Sequence, residues 1–201
     1  DDASVNGTLT KTGAGTLTLQ GNNTFSGGVT IKNGTLESRV TQTTLGTGTV
    51  TMGGAGSSGA TYITGQSNTN PFVINAPDSG SVIIGANGVG SGFTLSGGVT
   101  LNGNLTLQTF DNPVSESNKA TSILTGGVTG TGNLLLNNLG LAANTISLTT
   151  AAVNHTGTIT LSGTAATGDT TISAPIGSNV IGITQSSTTS RLVLSGSNTY
   201  A

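Results

Sequence analysis

The sequence contains no cysteine and no tryptophan, and only 6% of its 201 residues are charged. Without cysteine there is no disulfide framework, no thiolate metal site and no cysteine nucleophile. Aromatic residues make up 3%, which argues against a globular core built on large side chains. Five Lys and Arg stand against seven Asp and Glu, a net charge of −2. No basic patch is available to displace counterions from phosphate, so nucleic acid and anionic membranes are not expected partners. No apolar run reaches the roughly 18 residues of a helical membrane span. The N-terminal DDASVNGT lacks the basic and apolar regions of a signal peptide, so any export signal is expected to be removed or to lie outside this piece. Good helix formers are scarce, and no ten-residue stretch carries a helical apolar stripe, so helix content is expected to be close to nil.

Glycine is abundant, at 33 residues, and so are Thr, Val and Ile. Many β-branched residues with a small net charge indicate order rather than disorder. Composition marks no internal boundary, and residues 1–201 read as a single domain. The dominant signal is period two: Leu17/Leu19, Val29/Ile31, Val50/Met52, Val99/Leu101, Leu105/Leu107, Ile159/Leu161 and Leu192/Leu194 alternate with Thr, Ser or Asn. Such alternation marks short strands with one dry face. Gly-Gly, Asn-Gly and Gly-Asn steps break them every seven to twelve residues, where positive φ is needed. Related phrases recur, among them GTLTLQG, FTLSGGVTLNG, GTITLSG and RLVLSG. Recurrence favours a parallel solenoid over an antiparallel sandwich. Coils of three strands and three turns then imply around nine coils and a rod on the order of 40 Å. Inward Leu, Ile and Val form apolar ladders, with Leu17 and Leu19 facing in and Thr16 and Thr18 facing out, and Asn forms amide ladders at the turns. The segments around Pro71 and Pro77, and Phe110 to Ala120 with Pro113, read as protruding loops or bulged strands, because proline cannot donate to an interior ladder.

GAGTLTLQGNNTFSGGVTIKNGTL, Gly13 to Leu36, resembles the passenger-associated transport repeat, also called the autotransporter-associated β-strand repeat. Gly13, Gly15, Leu17, Leu19, Gly21, Asn23, Thr24, Phe25, Gly27, Gly28, Val29, Ile31, Gly34 and Leu36 all fit its pattern. RLVLSGSNTY, Arg191 to Tyr200, matches its first half, laying Leu192 and Leu194 over Leu17 and Leu19. The resemblance implies an all-β, right-handed parallel β-helix exported by type V secretion, at the bacterial surface or outside the cell. It also implies flanking passenger repeats and a C-terminal outer-membrane β-barrel beyond this chain, of which 1–201 would be an excised fragment.

Chemistry is sparse. Among Asp1, Asp2, Glu37, Asp78, Asp111, Glu116 and Asp169, only Asp111 and Glu116 are close in sequence, and with Lys119 they read as a solvated loop rather than a glycosidase pair. Arg39 and Arg191 have no acidic cluster to suggest a lyase. His155 reads as a solvated turn histidine, because no G-x-S-x-G elbow accompanies it. GAGSSG, Gly54 to Gly59, is followed by a strand-like ATYIT, which fails the dinucleotide context. No catalytic, cofactor-binding or metal-ligating residue is assigned, and no cofactor is expected. The expected role is a non-enzymatic stalk or adhesin segment that aids export and meets a host-surface or cell-cell partner. A carbohydrate-active β-helix is the alternative. An ice-binding solenoid, suggested by the T-x-T pairs Thr8/Thr10, Thr16/Thr18, Thr49/Thr51 and Thr158/Thr160, ranks third. Strand edges at Asp1 to Thr10 and Leu192 to Ala201 carry few charges, so end-to-end association or fraying is expected.

Overall fold

A computed structural model of the chain describes residues 6–38, 44–86, 92–110, 120–140, 144–165 and 168–200. Alternating dry and wet side chains on short runs, cut by glycine turns, leave each strand unable to bury its apolar face alone. Stacking on a neighbouring coil solves this, and every pairing between strands is parallel. Coil by coil, the strands are β1 (Leu9–Lys11) and β2 (Thr16–Leu19); β3 (Val29–Ile31) and β4 (Asn33–Ser38); β5 (Val50–Gly53) and β6 (Gly59–Thr64). From the fourth coil a third strand joins: β7 (Phe72–Asn75), β8 (Val82–Ala86) and β9 (Phe93–Leu95); β10 (Val99–Asn102), β11 (Leu105–Thr109) and β12 (Thr121–Leu124). Next come β13 (Val128–Gly130), β14 (Leu134–Asn138) and β15 (Thr145–Leu148); β16 (Gly157–Leu161) and β17 (Asp169–Ile172); β18 (Val180–Gln185) and β19 (Arg191–Leu194). The described residues contain no helix.

Three sheets result, of six, eight and five strands. The first follows β1-β3-β5-β7-β10-β13 and is continued by single bridges at Val153 and Ile176; the middle sheet runs from β2 to β18; the third runs from β9 to β19. This is a parallel β-solenoid of about 7 turns rather than the nine coils expected from the sequence. The count falls because coils lengthen in the middle of the stack: contacts to the next coil span 20 residues at Ser26–Asn6, 29 at Asn133–Asn104 and 22 at Ile176–Asn198. At about 4.8 Å per layer, the eight strands of the middle sheet stack to roughly 34 Å.

The dry interior is a set of ladders. Val29, Val50, Phe72, Val99, Val128, Val153 and Ile176 line up in the first sheet, and Leu36, Tyr62, Ile84, Leu107, Leu136 and Leu161 in the middle one, all buried. Leu17 and Leu19 face the same way as the middle-sheet ladder but stay half-buried, since they belong to the first coil. The register expected for Thr16 and Thr18 holds, and the Thr18 hydroxyl reaches Glu37 Oε2 at 3.4 Å. At Gly130 the chain takes φ 90°, and a Cβ there would run into the backbone of Leu101 one coil below, with Leu101 N 2.8 Å away. Only glycine fits that approach.

A further expectation is corrected. The Pro71–Pro77 region is not extruded: β7 and β8 lie inside their sheets, because Pro71 precedes the strand and its carbonyl accepts from Val50 N at 2.9 Å, while Pro77 falls in the turn between them. Proline therefore loses no ladder bond. The Pro113 segment, residues 111–119, lies outside the described residues. The two matching phrases also occupy different sheets, Leu17 and Leu19 in the middle sheet and Leu192 and Leu194 in the third. Coil length alone does not set this: Asp169 and Arg191 pair 22 residues apart within the third sheet, while Leu36 and Tyr62 pair 26 apart in coils that have no third-sheet strand among the described residues. Both copies still lead back toward the first sheet, where Thr199 N donates to Ile176 O at 2.8 Å and Thr47 N to Phe25 O at 3.0 Å.

Candidate functional site

Polar side chains do two jobs. At the turn between the first and middle sheets, Asn side-chain oxygens accept backbone N–H groups of the next coil: Asn33 from Ser58 at 2.6 Å, Asn104 from Asn133 at 2.8 Å, Asn133 from Thr158 at 2.9 Å and Asn154 from Asn179 at 3.0 Å. The expected amide ladders are thus largely side chain to backbone, with direct amide pairs at Asn102–Asn75 (3.0 Å) and Asn137–Gln108 (2.8 Å). Each such bond contributes about 1 kcal/mol net, and its loss strands a coil's turn without its staple.

Where the middle sheet turns into the third, a buried polar seam runs along the interior. Ser38 Oγ and Tyr62 OH lie 2.6 Å apart, and Asn68 Nδ2 donates to the same phenol at 3.1 Å. Burial raises the Tyr62 pKa, and the hydrogen bonds with Ser38 and Asn68 oppose that rise. Farther along, Thr109 Oγ1 donates to Asn138 Oδ1 at 2.9 Å, Asn138 Nδ2 to Asn144 O at 2.8 Å, and Ala120 N to Asn144 Oδ1 at 2.8 Å. Asn70 completes a neighbouring corner, giving its Nδ2 to Gly46 O (3.1 Å) and Gly48 O (2.8 Å). The period-two apolar pattern of the sequence does not extend to this seam. Its trace is the buried polar residue closing four of the eight middle strands: Ser38, Thr64, Thr109 and Asn138.

His155 departs from its expected solvated turn. It is fully buried at the corner preceding β16, its Nε2 lies 3.4 Å from Thr158 O, and its Nδ1 has no partner. Burial lowers its pKa, with the Thr158 carbonyl acting weakly the other way. The reason is register: it lies two residues after inward-facing Val153 and two before Gly157, on the interior side of the corner. No carboxylate or serine hydroxyl is bonded to it among the described residues, so the geometry provides no relay.

The carboxylates are dispersed. Asp78 Oδ2 accepts from Gly56 N at 2.9 Å, inside the turn formed by GAGSSG. Asp169 and Arg191 form a two-pronged exposed ion pair across adjacent coils of the third sheet, at 3.0 and 2.6 Å. The guanidinium holds the Asp169 carboxyl below the ordinary range. Asp1, Asp2, Arg39, Asp111, Glu116 and Lys119 lie outside the described residues. Among the described residues no three His, Asp or Glu side chains gather as a metal site.

On the outer surface, Thr10, Thr30, Thr51, Val73, Thr100 and Thr129 form one column of the first sheet. In the middle sheet Thr16, Thr35, Thr61, Ile83, Thr106, Leu135, Thr160 and Thr184 form another. Apolar residues interrupt both columns, and Thr18 continues into Glu37 and Ile63 rather than a second threonine row. Beside the second column the surface is hollow. A depression of about 230 Å³ lies under the turn holding Ala76, Pro77 and Gly80. It adjoins one of about 320 Å³ bordered by Asn104, Thr106, Asn133, Leu135 and Thr160.

The passenger-associated transport repeat family matches residues 9–37. The chain is also 32% identical over 158 residues to the adhesin BmaC autotransporter of Brucella suis biovar 1 (strain 1330), an alignment covering 78% of this chain and 4% of that protein. No solved structure matches. The matched repeat spans β1 to β4, the first two coils, and the alignment extends the likeness over most of the stack. The chain is therefore a segment of an autotransporter passenger built on the passenger-associated transport repeat.

Proposed function

We propose that this segment is the rigid, non-enzymatic stalk of a surface adhesin, residues 1–201 forming one stretch of a longer β-helical array. One observation carries the reading: parallel coils stack in register with buried ladders from Val29 to Val180, a shape that holds distance rather than moving. The similarity to a protein described as an adhesin autotransporter supports the adhesive part. The protein sits at the bacterial surface or is released from it, anchored through an outer-membrane barrel encoded beyond this segment, and meets a host or neighbouring-cell surface. Coil stacking also aids export: each coil that closes outside the cell buries its ladder and opposes backsliding.

Displaying the whole passenger on a Gram-negative host, with and without residues 9–200, tests this. Deletion should lower attachment to host or neighbouring cells and reduce the amount exported. Unchanged attachment and export would overturn the proposal. The carbohydrate-active alternative is tested by incubation with acidic polysaccharides, where turnover abolished by Asp111→Asn or Glu116→Gln would replace the stalk reading.

A further inference from the structure

We propose that the outer groove from Ser81 to Thr160 is a binding site for an extended, neutral oligosaccharide. The inference rests on the adhesive reading and gives it a ligand class and a place. The two depressions share Ser81, Asn104 and Thr106, so they form one channel crossing the coils of β8, β11, β14 and β16. Four layers at about 4.8 Å make it on the order of 14 Å long. Its larger part is an open depression of about 320 Å³.

The turn from Ala76 to Ser81, longer than the following turns at Gly103–Asn104 and Gly132–Asn133, walls one end. The lining carries hydrogen-bonding groups that the fold leaves unused. Asn104 and Asn133 spend their Oδ1 atoms on inter-coil staples, and their Nδ2 amides have no partner among the described residues. The same holds for the hydroxyls of Ser81, Thr106 and Thr160. Half-buried Leu135 interrupts the threonine column between Thr106 and Thr160. An apolar platform flanked by amide donors and hydroxyls matches a sugar ring, which presents C–H faces with hydroxyls around its rim.

Charge selects the class: among the described residues no Lys, Arg, Asp or Glu lines either depression, so an acidic glycan would find no counter-charge there. A peptide strand is disfavoured because β8, β11, β14 and β16 are each paired on both sides, leaving no backbone edge to extend.

The test titrates the purified segment with cellohexaose, chitohexaose, a heparin-derived hexasaccharide and a Thr/Val-rich hexapeptide, by calorimetry and saturation-transfer NMR. A neutral hexaose should bind. Asn104→Asp keeps the Oδ1 that accepts from Asn133 and removes the free amide donor; Leu135→Glu spoils the platform. Each should weaken binding about tenfold or more, while Thr100→Glu on the first sheet leaves it unchanged. Thermal melts of all variants separate lost binding from lost fold. Failure of both neutral hexaoses, preference for heparin or peptide, or indifference to the groove variants would overturn the site. Cell attachment that persists in the Asn104→Asp passenger removes the groove but keeps the stalk, whereas loss of attachment on coil deletion alone speaks to the stalk.

Discussion

Acid should loosen this rod through a single imidazole. His155 is fully buried, with Nδ1 bare and Nε2 held only by a 3.4 Å contact to Thr158 O. Charging it places an imidazolium in a dry corner with no carboxylate bonded to it, so its folded-state pKa is lowered from 6.5, chiefly by burial. The sign follows from proton uptake. Below about pH 6.5 the unfolded chain binds a proton that the folded chain refuses. The stabilising contribution is therefore complete above the unfolded pKa and is lost as pH falls, at up to ~1.4 kcal/mol per pH unit until the folded pKa is passed. Ordinary carboxylates titrate near 4, and His155 is the one histidine, so the window from pH 6.5 to 5 belongs to it. Urea melts at pH 7.5, 6.5 and 5.5, followed by far-UV circular dichroism, would be compared with His155→Gln and His155→Leu. Wild-type midpoints should fall more steeply on acidification than those of either variant. Hydrogen exchange should show the loss first around Val153 and Ile159. Parallel declines in all three proteins would refute the reasoning.

Other perturbations follow from the ladders. Leu107→Ala opens a hole in a fully buried column and should cost about 2–5 kcal/mol, whereas Thr18→Ala at the outward position should cost under about 0.5 kcal/mol, both read from thermal melts; equal costs would contradict the register. Gly130→Ala forces a side chain into φ 90° against the Leu101 backbone and should lower the melting temperature more than Gly15→Ala, whose Cβ would meet nothing within 4 Å. Asn70→Ala strands the carbonyls of Gly46 and Gly48 and should cost about 1–3 kcal/mol. At the last coil Ile181 is 67% exposed and Leu194 36%, beside the open edges of β18 and β19, so the isolated segment should associate or fray there. Light scattering over a concentration series should detect growth that Ile181→Lys with Leu194→Lys suppresses, and terminal amides as protected as those of Leu105 in a monomer would show the expectation to be wrong.

Period-two alternation made the strands legible, because an inward Leu107 and an outward Thr106 differ in what burial asks of them. Stacking was legible too, since recurring phrases imply like residues over like. Coil length was not. Nothing local in β2 or β19 distinguishes a coil that closes after two strands from one that needs three, as the same L-x-L-x-G-x-N-T phrase serves both. The position of His155 was illegible for a related reason. Its neighbours Asn154 and Thr156 are ordinary turn residues, and only the bridges from Val153 to Val128 and Ile176 turn the imidazole inward. The groove is not legible in the sequence because its residues lie 20 to 30 apart and meet only through register. Proline is ambiguous in the opposite direction: Pro71 cannot donate to a ladder, yet its carbonyl accepts from Val50 and the strand that follows it joins the sheet.

Parallel stacking also fixes how this rod answers to tension. Hydrogen bonds between coils run along its long axis, so a pull from end to end loads the layers in series and peels them one after another. Each layer is only about 4.8 Å thick yet stores 20 to 29 residues of chain. A coil that lets go would pay out roughly 65–100 Å of extended backbone. A cell tethered through such a segment would gain slack in steps under shear, and each released coil could rewind on the template of the layer below once the load falls.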